Sequence, residues 1–188
     1  METISLTSER LIIRQLGIHE YELAAEFANR NRDFFAPFDP IHPESYFTNE
    51  FWKERISKYE QDLKNDNHLE FFIFLKKSQS EVVGRIRFSG FIRGVFQACY
   101  LGYAIGKDNQ GQGIMTEALG KAIQYIFEKL NLHRVMANYI PGNIASEKVL
   151  KKLGFQKEGL AKDYLMIAGI WQDHILTSLI NREWKDRV

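Results

Sequence analysis

Between Ile105 and Leu119 the chain reads IGKDNQGQGIMTEAL: a strand end, a polar loop with Gly111 and Gly113 spaced by one residue, and the start of a helix. A helix start leaves four backbone N–H groups without partners and carries the positive end of the helix dipole. Such a place binds phosphate, and paired glycines let the backbone wrap closely around it. The two familiar phosphate loops do not fit. The dinucleotide fingerprint needs a third glycine where Thr116 stands, and the Walker loop needs Gly-Lys before Ser or Thr. A glycine-rich turn that only reverses the chain would look the same locally.

Other reactive side chains form no competing cluster. His19, His42, His68, His133 and His174 stand singly, without the spacing to Cys or Glu that marks a metal site, so no metal is expected. Cys99 has no second cysteine to pair with and lies in the apolar stretch FQACYLGYAI, which suits a buried structural thiol better than a nucleophile. Asp173 and His174 are adjacent, but neighbours on a strand point to opposite faces and make no ready dyad.

The elements that position the loop follow from patterning. ISLTSERLIIRQL alternates as a strand, and GIHEYELAAEFANRNRDFF is an amphipathic helix with Leu23, Ala24, Phe27 and Ala28 near one face. FAPFDPIHPESYF is too rich in proline for regular structure and too aromatic for a flexible linker. It reads as an ordered loop whose rings serve packing or binding equally well. TNEFWKERISKYEQDLKN is a second helix. LEFFIFLKK, EVVGRIRFSGFI and QACYLGYAI form a strand meander. From Gly113 to Asn131, Met115, Leu119, Ala122, Ile126 and Leu130 recur at threes and fours, giving a long amphipathic helix. HRVMANYI is a strand, NIASEKVLKKLGF a short helix ending at Gly154, and DYLMIAGIWQDHILTSLI a closing hairpin. The order is strand, two helices, three strands, helix, strand, helix, two strands. The class is α/β, one domain over residues 1–188, with a mainly antiparallel mixed sheet flanked by helices.

Bulk composition agrees with one globular core: the chain has 188 residues, 45% of them apolar. Its 25 basic and 24 acidic side chains leave a formal charge of +1, so neither nucleic acid nor membrane is attracted globally. No apolar run is long enough to span a bilayer, and METISLTSER lacks a signal pattern. A cytoplasmic protein is expected.

Gln110-Gly111-Gln112-Gly113 before a helix resembles the acetyl-CoA loop of the GNAT superfamily of N-acetyltransferases: Gln or Arg, two residues, Gly, one residue, then Gly or Ala. Met115 occupies the last place, a departure also found in the RimJ and RimL branch. Asn143, Ser146, Leu150 and KLGF resemble that branch's second motif. ACYLGYAIG, HRVMANYIP, KEGLAKDYL and WQDHILTSL are similar to its members that acetylate ribosomal proteins, and the likeness is weakest in the first two helices.

The resemblance implies a GNAT fold and acetyl-CoA as donor. Tyr103, Ala104 and Ile105 would pair with the pantetheine arm. The N–H groups of Gln110, Gly111, Gln112, Gly113, Ile114, Met115 and Thr116 would hold the pyrophosphate. Gln112 serves as a phosphate contact or as a solvated loop residue. Asn143 is a helix cap that also suits the pantetheine amides. Many members of the superfamily carry a tyrosine acid where Leu150 stands; by similarity Ser146 takes that task, its hydroxyl returning to the cap or facing the thioester. Tyr100 occupies the place of a frequent base, and Asp163, acting through water, substitutes for it or is a solvated strand-end carboxylate. The implied acceptor is the N-terminal amine, an alanine's, of a ribosomal protein. A small amine acceptor, or a CoA-binding interaction module without turnover, are the alternatives. A homodimer is compatible with each.

Overall fold

The computed structural model describes residues 3–186. Where alternation suggested one opening strand there are two. Ser5–Thr7 (β1) and Leu11–Arg14 (β2) pair antiparallel, and the Ser8 N–H closes the turn on the Leu11 carbonyl at 3.1 Å. The first amphipathic segment is also divided. Tyr21–Arg30 (α1) buries Ala24, Ala25, Phe27 and Ala28, then breaks at Asn31 before the short Arg32–Phe35 (α2). Asn31 is buried, and its amide accounts for the break. Nδ2 donates to the Phe27 carbonyl at 2.9 Å, while Oδ1 accepts the distant Lys107 N–H at 3.0 Å.

The second segment breaks at Lys58 into Asn49–Ser57 (α3), capped by Thr48, and Tyr59–Lys64 (α4). The proline-rich loop ahead of α3 is ordered. It contains a 3-10 turn at Glu44–Phe47, His42 stacks on Tyr46 with ring centres 3.8 Å apart, and Arg85 Nη1 donates to Tyr46 Oη at 2.7 Å.

Six further strands complete an eight-stranded sheet: His68–Leu75 (β3), Gly84–Ile92 (β4), Ala98–Ile105 (β5), Arg134–Tyr139 (β6), Gln156–Ile167 (β7) and Ile170–Ile180 (β8). Their order is β1-β2-β3-β4-β5-β6-β8-β7, and every neighbouring pair is antiparallel except β5 and β6. A parallel pair needs a crossover. Here it is Ile114–Glu128 (α5), which buries Ile114, Met115, Ala118, Leu119, Ala122, Ile123 and Ile126 on one stripe. β7 starts earlier than the DYLMI pattern suggests, because its first half lies on the sheet's edge and is largely exposed.

The sheet carries a core on each face. α5 and Ile144–Lys152 (α6) pack on Phe71, Ile73, Ile86, Phe88, Cys99 and Leu101; α1 to α4 pack around Trp52, Phe72 and Phe74. Each such large side chain, removed from water, contributes roughly 2–3 kcal/mol before entropy is counted. Cys99 is fully buried, and burial pushes its thiol up to about 12, in keeping with a structural role.

Candidate active site

The parallel strands β5 and β6 are paired only at Ala98 with Arg134, Cys99 with Val135 and Tyr100 with Met136. Beyond that they part. Leu101 to Ile105 stay bonded to β4 on one side, and Ala137 to Tyr139 stay bonded to β8 on the other. Between them is a fork inside the sheet, edged by backbone N–H and C=O groups that must find other partners. Tyr103, Ala104 and Ile105 lie on that edge, where an extended chain with amides can add as a partial strand.

β5 runs into the glycine loop. Gly111 and Gly113 have φ of 72° and 74°, the left-handed region that other residues enter at a cost. Among the described residues, no N–H group from Gln110 to Thr116 has a protein acceptor; the first one satisfied is that of Glu117, on the Gly113 carbonyl at 3.1 Å. Seven successive donors at the head of a four-turn helix fit a diphosphate. The side chains of Ile114 and Met115 point into the core, so these residues offer only their backbone. Met115 thus fills the core where the motif usually places a small residue. The Gln112 amide donates to the Asp108 carbonyl at 3.2 Å and braces the loop.

Two groups that patterning did not connect to the loop hold it in place. Asn31 takes the Lys107 N–H, as described above. From the β1–β2 turn, Arg10 Nη1 donates to the Gln112 carbonyl at 3.1 Å. The Glu117 carboxylate accepts from Ser8 Oγ at 2.7 Å, the Arg10 N–H at 2.9 Å and Arg10 Nε at 2.7 Å. Burial alone would raise the Glu117 carboxyl; these hydrogen bonds outweigh it and hold it below its ordinary value.

Across the fork, Asn143 caps α6 by accepting the Ser146 N–H at 3.1 Å. The Ser146 hydroxyl does not return to the cap. It lies 2.7 Å from Tyr103 Oη, which also reaches the Ser146 carbonyl at 3.3 Å. Burial pushes the Tyr103 phenol up to about 12, so it remains protonated and can donate. Leu150, one turn further on, is buried in the core.

The opposite mouth of the fork opens on the α1–α4 face. Tyr100 is half-exposed, Gly102 is exposed, and a Cβ built on Gly102 would meet nothing within 4 Å. Tyr164 leans across β8 to accept from Asn138 Nδ2 at 3.5 Å, and burial, with the Tyr100 phenol nearby, pushes its own phenol above the ordinary value. The His174 ring lies 5.7 Å from the Tyr164 ring. Its Nδ1 is 2.9 Å from the Gln172 carbonyl, which can only accept, so Nδ1 carries a proton. The sequence singles out Tyr100 and His174 separately but does not join them to Tyr164 and Asn138, because the four lie on four different strands.

Asp163 belongs to a bulge in β7, with φ of 46°. It is exposed, and its N–H donates to Asp173 Oδ1 at 3.1 Å, while Lys162 Nζ holds Asp173 Oδ2 at 2.6 Å. Ser146, Tyr103 and the loop are therefore gathered on one side of the fork. Asp163 stands apart, next in sequence to Tyr164. The bulged hairpin ends at Ala168, whose N–H donates to the Asp39 carbonyl at 2.9 Å, tying the hairpin tip to the proline-rich loop. Beside this contact is a cavity of about 180 Å3 walled by Phe27, Phe35, Ile41, His42 and Tyr46, with Arg85 at its base.

A family model described as an acetyltransferase (GNAT) domain matches residues 10–156. The [ribosomal protein uS5]-alanine N-acetyltransferase of Escherichia coli strain K12 is 40% identical over 181 residues, which cover 96% of this chain and 93% of that protein. The crystal structure of a ribosomal-protein-S5-alanine acetyltransferase from Vibrio fischeri is similar with a TM-score of 0.92 and 39% identity, over 97% of this chain and 100% of that one. Mycobacterium smegmatis RimJ, solved in complex with CoA-disulfide, is similar with a TM-score of 0.84 and 25% identity, over 94% and 84% of the two chains.

Proposed function

The chain belongs to the GNAT acetyltransferases, and on that premise we propose that it moves an acetyl group from acetyl-CoA to the N-terminal α-amine, an alanine's, of a ribosomal protein. The donor supplies a thioester whose carbonyl is open to attack by an amine. The protein must hold the donor's arm and diphosphate, bring an unprotonated amine through the fork, and donate to the sulfur as the C–S bond breaks.

The unpaired edge at Tyr103, Ala104 and Ile105 supports the first role for the arm, and the free N–H groups from Gln110 to Thr116 support the second. Asn143 fixes the head of α6 so that the Ser146 hydroxyl, steadied by Tyr103, donates to the leaving sulfur. The incoming ammonium sheds one proton before attack and another as the amide forms; one of these ends on the thiol. Asp163 receives the other through water, on the side where Tyr164, Asn138 and Tyr100 line the approach.

The observation that carries the chemistry is the three-rung fork opening beside seven unpaired donors. The acceptor is supported by the names of the Escherichia coli and Vibrio fischeri relatives, 40% and 39% identical over nearly the whole chain. A cytoplasmic site of action follows from a ribosomal acceptor. Mass spectrometry of ribosomal-protein N-termini, in cells with and without the protein, tests the proposal. Loss of acetylation on one alanine N-terminus supports it, and an unchanged set overturns it.

A further inference from the structure

Beside the fork, on the α1–α4 face, three arginines surround one carboxylate. Glu70 of β3 is fully buried; its Oε2 accepts from Arg55 Nε and from Tyr59 Oη, each at 2.9 Å. Its Oε1 lies 3.7 Å from Arg85 Nε and receives no hydrogen bond, while Arg85 is also engaged by Tyr46. Burial raises the Glu70 carboxyl, but the surrounding guanidinium groups outweigh it and keep it ionised. Arg87 is the third. It is exposed, its Cα pairs with Glu70 on one side and Gly102 on the other, and no hydrogen bond or ion pair is recorded for its side chain among the described residues. Partial burial and the repulsion of Arg55 lower its pKa, and His68, itself 3.3 Å from Asp62, faces it from β3. One carboxylate against three guanidinium groups leaves an excess of positive charge. Arg87 presents it to the open floor over Gly102.

Resting on the reading of the acceptor as a protein N-terminus, we propose that Arg87 binds an acidic side chain of that acceptor and so selects N-termini followed closely by Asp or Glu. An exposed guanidinium that shares Glu70 with two other arginines and makes no hydrogen bond of its own favours a further carboxylate that can meet it with two parallel hydrogen bonds. Strands lie about 4.8 Å apart and an extended chain advances about 3.3 Å per residue. Arg87 stands one strand from the fork's β5 edge, so its reach, on the order of 10 Å, sets the acidic residue near the third or fourth position of the acceptor.

Rates are measured for alanine-initiated peptides carrying Glu, Gln or Lys at each of positions two to five, with the wild-type protein, Arg87→Gln and Arg87→Glu. The wild type is expected to favour Glu over Gln about tenfold in kcat/KM at one position, the worth of one partly desolvated ion pair. The preference shrinks as salt is raised. Arg87→Gln abolishes it, and Arg87→Glu inverts it in favour of Lys at the same position. Equal rates for Glu and Gln peptides at every position overturn the proposal. So does a preference that survives in Arg87→Gln while the melting temperature falls, which would make Arg87 only a counter-charge for Glu70. If no peptide is acetylated but small amines are, the protein-acceptor reading falls and takes this subsite with it.

Discussion

Tyr103 and Ser146 come from opposite sides of the fork and meet through their hydroxyl groups, 2.7 Å apart. Either hydroxyl can donate across this contact, and when the phenol is the donor the serine's own hydrogen is free for another acceptor. Ser146→Ala is expected to lower kcat by roughly 10²-fold, the usual cost of removing one donor aimed at developing charge. Tyr103→Phe is expected to lower it less, with KM for acetyl-CoA nearly unchanged. In the double variant the second loss should vanish, because Tyr103 acts through Ser146. Equal effects of Tyr103→Phe on both backgrounds would show that the two hydroxyls act independently.

Gly113, left-handed at the start of α5, and Gly120, exposed within the same helix, separate conformation from composition. Gly113→Ala forces a side chain into the left-handed region at about 1–2 kcal/mol and moves the donors of the loop. A raised KM for acetyl-CoA is the expected result. Gly120→Ala meets no obstacle and should stabilise the protein by about 0.5–1 kcal/mol with KM unaltered. Thermal melting together with initial rates measures both, and an unchanged KM in Gly113→Ala would count against the cradle.

Glu117 links the loop's stability to pH. Its carboxyl is lower in the folded protein than in the unfolded chain, so its contribution is complete above the ordinary carboxylate value of about 4.3 and is lost as pH falls through the folded value. Glu117→Gln should therefore melt below the wild type at pH 7, and the gap should close as pH falls below the ordinary carboxylate range. A gap that stays constant with pH would assign the loss to packing instead of charge.

Asp163 and His174 offer two destinations for the acceptor's proton. If Asp163 is the base, Asp163→Asn lowers kcat by about tenfold or more and flattens the acidic limb of its pH profile. His174→Gln should then leave that limb in place. The reverse pattern would move the role to His174.

Local pattern disclosed the loop, the long helix, the paired strands and the cap at Asn143, because each depends on residues close together in the chain. It did not disclose the fork. The alternation of QACYLGYAI continues through the point where β6 departs, since side-chain facing is unaffected by whether the neighbouring strand is present. The Tyr103–Ser146 contact joins residues 43 apart, and the Glu117 clamp joins residues more than a hundred apart. Glu70 within HLEFFIFL gives no local sign that Arg55 and Tyr59 will cover it. The broken first helix has a similar origin: Asn31 leaves the helical register to reach Lys107, a residue outside any local window.

A sheet normally keeps its unsatisfied amides at its outer margins, where water serves them. Here a second margin lies in the middle, between β5 and β6, and the two halves of the sheet are seamed by three residue pairs and by the helices laid over them. On the proposed reading, a donor seated in that seam would supply the rungs the protein omits. For the length of each catalytic cycle, a molecule about to be consumed would then serve as part of the scaffold, and its departure would return the centre of the sheet to solvent.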